Sequence, residues 1–377
     1  MLCVLFATTL RQPTFGSTDT VRTALVNVSL ADGVQRRVWA NAGKRVYLLD
    51  AALKELARSD ELSKDKDVNA IGLSLSGQDA IVGTSDGLSL LTMAGGRHLA
   101  TQPVAGFAAT LTPGRIADSI ALTPGVESFV VAAQDTTNSS VGVILIVQLT
   151  RGGGRTSASV VASCVVGSAA RDAKMVHSAT NAVQSSIMVG GDAPSGGART
   201  IIATTTSSLV VLQLENGQLA LQRTIALPGG NDGFDLVTSA DLTGDLLAVV
   251  AAGANGLRIV NLRTGALLSQ MAVPGWSGSA RVADSIALVA ADAGLVAFDL
   301  AQPTRPTRAW ACGLTGGTGW NLAVDEAARI AFVAATASGL HAVLFAAPSK
   351  PLTYAHFGEG VPTVCNTTWP ALVSWPD

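Results

Sequence analysis

The most regular feature of the chain is an apolar run, a short turn of small residues and a second apolar run. The unit is clearest over Leu246–Leu262, where LLAVVA and LRIVNL flank a turn at Asn255-Gly256. It recurs over Ser285–Leu300 and Arg329–Phe345. Asn-Gly and Asp-Gly steps readily adopt the positive φ angles of tight hairpins, and short apolar runs bounded by such turns are typical of buried strands. The pattern therefore predicts a series of β-hairpins.

These hairpins repeat at the period of a four-stranded blade. The turn glycines Gly256, Gly294 and Gly339 are 38 and then 45 residues apart, which is the spacing expected of propeller blades. A further clear hairpin surrounds Asp86-Gly87. Weaker copies bring the total to seven and lie at Arg37–Asp50, Ser128–Leu149 and Thr200–Leu214.

Each hairpin has further strand-like segments around it, which predict an inner and an outer strand. Among them are the inner candidates Phe234–Ser239, Ala280–Ala283 and Asn321–Asp325 and the outer candidates Ser157–Val166 and Thr307–Leu314. Seven is a common number of blades for closing a ring. We therefore predict an all-β fold: a seven-bladed β-propeller with four-stranded antiparallel blades over residues 23–358.

Residues 1–22 are predicted to form an N-terminal strand or arm packed on the body. Residues 359–377 are predicted to form a C-terminal tail docked on the propeller or on a neighbouring molecule. Two Gly-rich stretches, Arg151–Thr156 and Gly190–Thr200, are predicted to be exposed flexible loops.

The later hairpins carry a more specific signature. Gly256-Leu257-Arg258-Ile259-Val260-Asn261-Leu262 resembles the LVIVD repeat, a β-propeller repeat, and so does Gly294–Leu300 followed by a proline-containing loop at Ala301–Pro306. Gly339–Val343 is a looser copy. The similarity extends over residues 245–345. It implies a propeller of the surface or secreted scaffold type, and it brings no catalytic residues with it.

Composition narrows the classes of partner. The chain has 377 residues, of which 48% are hydrophobic and 14% charged, with a net charge of -2. Because nucleic-acid binding depends on neutralising phosphates with basic residues, this balance argues against a nucleic-acid partner. The longest apolar runs, such as Val141–Val147, are shorter than the roughly 20 residues that a membrane helix needs. We therefore predict no transmembrane segment.

The sequence contains none of the common catalytic or phosphate-binding motifs, so we predict a protein that is not an enzyme and has no cofactor. One enzymatic alternative is open: a lactonase-type propeller with a metal ion in the central channel. Its candidate ligands are Asp232, Asp235, Asn321 and Asp325. Turn capping is the competing interpretation of these side chains.

Aromatic residues mark a candidate interaction surface. Phe234, Trp276 and Trp320 each follow a glycine and precede the inner strand in blades five, six and seven. Large aromatics at one point of successive blades could form an arc that binds a protein partner. Burial between neighbouring blades is the competing interpretation. In the tail, Trp369 and Trp375 are the predicted anchors.

Candidate glycosylation sites and cysteines indicate the cellular compartment in which the protein acts. Sequons begin at Asn27, Asn138 and Asn366. Asn138 and Asn366 are the predicted glycosylation sites, because Asn27 lies inside a predicted strand.

The four cysteines allow a prediction about disulfides. Cys3 and Cys365 are a candidate disulfide, since ring closure brings the chain ends together, and Cys312 is an alternative partner for Cys365. Cys164 and Cys312 are predicted not to bond to each other.

These features together predict a non-enzymatic extracellular or cell-surface glycoprotein that acts as a structural or protein-interaction module. Its partners are predicted to be proteins, including copies of itself in a larger assembly or filament. An intracellular scaffold subunit of a large complex is the main alternative, and reduced cysteines would favour it.

Overall fold

The structure is a computed structural model that describes residues 24–29, 35–50, 54–64, 68–93, 97–116, 120–123, 126–138, 141–166, 170–176, 199–229, 235–240, 246–283, 285–314, 319–326, 328–335, 340–346 and 350–357. All 29 regular elements within these residues are β-strands. The prediction of an all-β fold is therefore confirmed. The predicted arm at 1–22 and tail at 359–377 lie outside the described residues, as do Trp369 and Trp375.

The strands follow one another in sets that build successive blades. Those of blades one to four are β1 (Ala24–Ser29), β2 (Gln35–Ala42), β3 (Arg45–Asp50), β4 (Glu55–Ser59), β5 (Ala70–Leu73), β6 (Asp79–Thr84), β7 (Gly87–Met93), β8 (His98–Pro103), β9 (Leu111–Ile116), β10 (Ile120–Thr123), β11 (Val126–Asp135), β12 (Gly142–Gly152), β13 (Arg155–Val166), β14 (Ala170–Val176), β15 (Arg199–Thr205), β16 (Ser208–Glu215) and β17 (Gln218–Ala226). Those of blades five to seven are β18 (Asp235–Ala240), β19 (Leu246–Ala251), β20 (Leu257–Asn261), β21 (Leu267–Met271), β22 (Ser277–Ala283), β23 (Ile286–Ala291), β24 (Gly294–Asp299), β25 (Thr307–Cys312), β26 (Asn321–Asp325), β27 (Ile330–Ala334), β28 (Leu340–Ala346) and β29 (Lys350–Phe357).

Within each blade, strands that follow one another pair antiparallel, with β9 and β10 of blade three as the exception. Blades four to seven are separate four-stranded sheets. Blades one and two share an eight-stranded sheet, because their outer strands β4 and β8 pair in parallel at Arg58↔His98 and Ser59↔Leu99. In blade three, β9 and β10 both pair with β11, so two short strands occupy the position of a single inner strand. The described sheets thus contain seven antiparallel units, consistent with the predicted seven blades.

The units close into a ring. The inner strands contact one another in the order β1, β5, β9, β14, β18, β22 and β26, and β26 contacts β1. Seven apolar clusters of buried residues accompany this order, one at each interface between neighbouring blades. Alternate residues of a strand face opposite blades, so Ile201 packs toward blade three while Ile202 packs toward blade five. The core is therefore divided among the interfaces, as the two-residue period of a strand requires.

The predicted hairpins and flanking strands agree with the observed strands. The inner candidate Asn321–Asp325 coincides with β26, and the outer candidate Ser157–Val166 lies within β13. One prediction is wrong: the Gly-rich stretch Arg151–Thr156 is a tight hairpin turn between β12 and β13 and not a loose loop. Gly153 and Gly154 have φ angles of 58° and 74°, and two successive positive φ angles are what a two-residue hairpin turn requires.

Glycine is required in the blade-five hairpin for space as well as for φ. Gly256 has φ +74°, and a Cβ at this position would collide with the carbonyl oxygen of Met271. Gly154 has the same φ, +74°, with nothing within 4 Å of a Cβ. We expect Gly154→Ala to cost about 1 kcal/mol, the penalty of the left-handed backbone alone. Gly256→Ala should cost about 2 kcal/mol, because Met271 lies in a paired strand and cannot move freely.

The free energies of unfolding of the two variants, measured in urea, test this expectation. Gly154→Ala is the matched control because it changes the same residue type at the same φ. Equal losses for the two variants would contradict the predicted contact with Met271.

Candidate functional site

Two of the three aromatics predicted to form an arc stack on each other. The rings of Trp276 and Trp320 have their centroids 5.0 Å apart and their planes inclined by 29°. Trp276 directly precedes β22 of blade six, and Trp320 directly precedes β26 of blade seven. Phe234, the third aromatic, lies outside the described residues. We call Trp276 and Trp320 the tryptophan pair.

The backbone of Trp276 is clamped by the hairpin of its own blade. Its N–H donates a hydrogen bond to Oδ2 of Asp292 at 2.8 Å, and its carbonyl accepts one from the N–H of Asp292 at 3.0 Å. Asp292 is an exposed residue of the β23–β24 turn. The sequence identified it as a turn residue only. The structure shows that it also orients a tryptophan and brings a carboxylate beside the tryptophan pair.

Trp320 is held in a similar way, but across two blades. Its N–H donates to the carbonyl of Ala334 in blade seven at 2.8 Å, while the N–H of the preceding Gly319 donates to Ala291 in blade six at 3.0 Å. Gly278 makes room for the ring of Trp276 and for the backbone of Trp320, since a Cβ there would lie 2.7 Å from Cζ3 of Trp276 and 2.7 Å from the carbonyl oxygen of Trp320. The stacked geometry therefore depends on backbone contacts and on one small residue.

The tryptophan pair is neither fully buried nor fully exposed. Both side chains are half-buried, and neither belongs to the apolar clusters between blades six and seven or between blades five and six. The pair thus differs from the buried wedge that was the alternative to an interaction surface. It presents preordered apolar area at the surface, and such an arrangement suits binding because little side-chain freedom remains to be lost.

The predicted channel ligands behave differently from one another. Asp325 is buried, and its Oδ1 accepts the N–H of Ala328, so it caps the turn before β27. Asn321 is buried and accepts the N–H of Leu322. Asp232 lies outside the described residues, and the side chain of Asp235 is not among those described. Within the described part of the chain, no three His, Cys, Asp or Glu side chains come together in a way that could hold a metal ion.

Asn138 lies at the tip of the long β11–β12 hairpin and is exposed. The turn is ordered by Asp135, whose Oδ1 accepts hydrogen bonds from the hydroxyl and the N–H of Thr137 at 2.6 and 2.8 Å. The hydroxyl bond, followed by the N–H bond, lowers the pKa of Asp135. The turn therefore favours the ionised form of Asp135. The other predicted glycosylation site, Asn366, lies outside the described residues.

The cysteines divide into two kinds. Cys164 is a free, half-buried thiol, whereas Cys312 is fully buried and disulfide-bonded. The prediction that these two do not bond to each other is confirmed. The partner of Cys312 lies outside the described residues, as do Cys3 and Cys365. A disulfide from Cys312 to either of them would exclude the predicted Cys3–Cys365 bridge within one chain, and a Cys312–Cys365 bond is the alternative named from the sequence.

One ionic cluster was not anticipated from the sequence. Arg151, at the end of β12, donates through Nη2 and Nε to Oδ2 of Asp79 at 2.7 and 3.1 Å, and through Nη1 to Glu127. Both carboxylates are buried, while the Arg151 side chain is 31% exposed. Glu127 also accepts the N–H of Leu75 at 2.8 Å. The cluster joins blade two to blade three. Because both carboxylates are buried and hydrogen-bonded to Arg151, the cluster has a structural role.

No helix in the described residues has the length and hydrophobicity to cross a membrane.

Neither a protein-family model nor a curated protein sequence matches this chain, so the resemblance to the LVIVD repeat has no support from a family match. Solved structures do match. One is dihydro-heme d1 dehydrogenase NirN in complex with DHE, with 15% identity and a TM-score of 0.56 over 92% of this chain and 68% of NirN. Saccharomyces cerevisiae Sqt1 matches with 12% identity and a TM-score of 0.58, over 89% of this chain and 85% of Sqt1. The Dos1 propeller matches with 11% identity and a TM-score of 0.53, over 87% of this chain and 78% of Dos1. At these identities the similarity shows the fold, and the chain is a β-propeller.

Proposed function

We propose that this protein is a non-enzymatic β-propeller of the LVIVD-like scaffold type, which acts outside the cell or at the cell surface as a structural or protein-interaction module. The observation that carries the proposal is the tryptophan pair, Trp276 and Trp320, which is stacked, half-buried and outside the apolar clusters. Tryptophan is among the residues that contribute most to protein–protein binding energy. A pair of ordered rings in a chain with only 5% aromatic residues is the surface best suited to this role.

The surroundings of the pair indicate the chemistry of the partner. Asp292 places an exposed carboxylate next to Trp276. A flat apolar group on the partner would cover the rings, and a lysine or arginine beside it would meet the carboxylate. Asp325 supports the non-enzymatic part of the proposal, because this candidate metal ligand is buried and engaged in capping a turn.

Binding by the tryptophan pair is tested with Trp276→Ala/Trp320→Ala in a quantitative capture experiment from the native source. We expect at least one bound protein to fall about tenfold or more in the double variant, since loss of a binding aromatic costs 2 kcal/mol or more. Leu267→Ala is the matched control, because Leu267 is 39% exposed on the outer strand of blade five. The same set of captured proteins in all three samples would contradict the proposal.

The proposed compartment is supported by the disulfide at Cys312, because disulfides persist in oxidising environments. We expect the protein from its native source to carry a glycan on exposed Asn138, detectable as an intact-mass decrease after enzymatic deglycosylation. Asn138→Gln should remove the part of that decrease that comes from Asn138 and leave any part that comes from Asn366. Asn27 is an internal control and should stay unmodified, because it lies within β1 and pairs with Arg37.

If the protein is instead an intracellular scaffold subunit, both the glycosylation test and the cysteine test should give the opposite result. Asn138 would carry no glycan, and Cys312 would be alkylated as a free thiol in the native protein without reduction.

A further inference from the structure

The outer edge of blade three differs from the other blade edges in length. Its outer strand β13 has 12 residues, whereas the outer strands β21 and β25 of blades five and six have 5 and 6. An outer strand exposes the backbone N–H and C=O groups of its free edge, and a long free edge is a template for pairing with another strand.

Beyond its first residue, Arg155, the same strand has no charged side chain to protect its edge. Residues 156–166 contain no charged side chain, whereas the outer strands β4, β17 and β25 each carry an arginine, namely Arg58, Arg223 and Arg308. Charged side chains on edge strands normally prevent pairing between molecules. Because residues 156–166 have none, the same segment of a second copy would meet no electrostatic repulsion there.

A β-bulge turns apolar side chains of β13 outward. Val147 pairs with Val160 and Ile146 pairs with Ala162, which leaves Val161 as the extra residue. Before the bulge, Ala158 and Val160 pack toward blade two, and after it Ala162 and Cys164 pack toward blade four. Val161 and Val165 belong to neither cluster and are 45% and 65% exposed. Ser163, between them, is also exposed.

The first half of this edge is already partnered. Ala105 donates a backbone hydrogen bond to Ala158 and accepts one from Val160, both at 2.9 Å. Among the described residues, no bridge continues along this edge past Val160. Within the part of the chain that the structure describes, the segment Val161–Val166 is therefore the unpaired part of the edge. Leu221 on β17, a strand that contacts β13, adds a further 45% exposed apolar side chain nearby.

We propose that Val161–Val166 pairs antiparallel with the same segment of a second copy of this chain and forms a two-fold symmetric dimer. The segment is self-complementary: a two-fold axis at Ser163 places Val161 opposite Val165 of the other copy, and Val165 opposite its Val161. Each pair covers apolar surface that the single copy exposes, and the paired backbones satisfy the free edge. Because the interface uses the same surface on both copies, the assembly closes at two.

Charge placed on this edge tests the proposal. In sedimentation velocity over 1–200 µM, the wild type is expected to shift from monomer to dimer. Val165→Lys should weaken this association tenfold or more, and a position that is 65% exposed tolerates the change without loss of the fold. The control Leu267→Lys, at an exposed leucine of blade five, should dimerise like the wild type. A wild type that stays monomeric at 200 µM overturns the proposal, and so does a Val165→Lys variant that associates as tightly as the wild type.

The register is tested by a cross-link on the two-fold axis. In a Cys164→Ser background, Ser163→Cys should form a homodimeric disulfide on mild oxidation, because directly opposed residues of an antiparallel pair lie within disulfide reach. Ser157→Cys, exposed on the same strand before the bulge, is the matched control and should cross-link at least tenfold more slowly. Equal rates overturn the register. Neither experiment involves the tryptophan pair, so its outcome is independent of the proposed function.

Discussion

Replacing Phe332 with alanine is expected to lower the free energy of unfolding by about 4 kcal/mol. Phe332 is fully buried on β27 and belongs to the apolar cluster between blades seven and one, with Val38, Ala40 and Tyr47 on the other side. The loss combines the transfer of a large ring out of the core with the cavity that it leaves behind.

This interface matters because it closes the ring. In the described sheets each blade is built from consecutive strands, so no strand from one end of the chain completes a blade at the other. The described contacts that join blade seven to blade one are therefore packing contacts, centred on the Phe332 cluster.

The control is Phe129→Ala. Phe129 is also fully buried, at the interface between blades two and three, which consecutive chain already connects. Both variants should lose similar stability in urea, but only Phe332→Ala should accelerate amide hydrogen exchange in β1 and β26. If Phe332→Ala costs less than about 1 kcal/mol, the ring is not closed there in solution.

Replacing Arg151 with methionine is expected to cost about 3 kcal/mol at pH 7. Removing one partner of a buried ion pair leaves an uncompensated charge, which typically costs roughly 3–5 kcal/mol. Here two carboxylates, Asp79 and Glu127, lose the same partner. The value lies at the lower end of the range because the Arg151 side chain is 31% exposed, and solvent screens part of the interaction.

The pH dependence has a definite sign. Partial burial lowers the pKa of Arg151, but the hydrogen bonds to Glu127 and Asp79 outweigh it and raise the pKa above its usual value, so the guanidinium is charged at neutral pH. In Arg151→Met the two buried carboxylates face each other without a cation. The raised pKa means that the stabilisation by this cation is fully present at neutral pH in the wild type and is lost only as the pH rises through that pKa.

Arg45→Met is the matched control for this prediction. Arg45 pairs with Glu61 at 3.2 Å, but the two side chains are 41% and 57% exposed. Exposed pairs contribute about 0–1 kcal/mol, so this variant should lose little stability. An equal loss of stability in the two variants would show that solvent screens the ion pairs of Arg151 as strongly as those of an exposed surface pair.

Local features of the chain were readable because hairpins form between neighbours in sequence. Asn255-Gly256 and Asp86-Gly87 predict turns at the places where β19–β20 and β6–β7 meet. The prediction of a flexible loop at Gly153-Gly154 is wrong because glycine-rich sequence is typical of both tight turns and linkers. The positive φ angles that distinguish the two are visible only in the structure.

The sequence by itself determined the strands, their antiparallel order and a number of repeats sufficient to close a ring, since alternation and turn chemistry act over a few residues. The tertiary structure alone decided which residues meet across blades. Trp276 stacks on Trp320, 44 positions further along the chain, and Arg151 bonds Asp79, 72 positions away. The bulge at Val161 also emerged only there. Such contacts depend on how one blade packs against the next, and the repeat period carries no information about individual side chains at those interfaces.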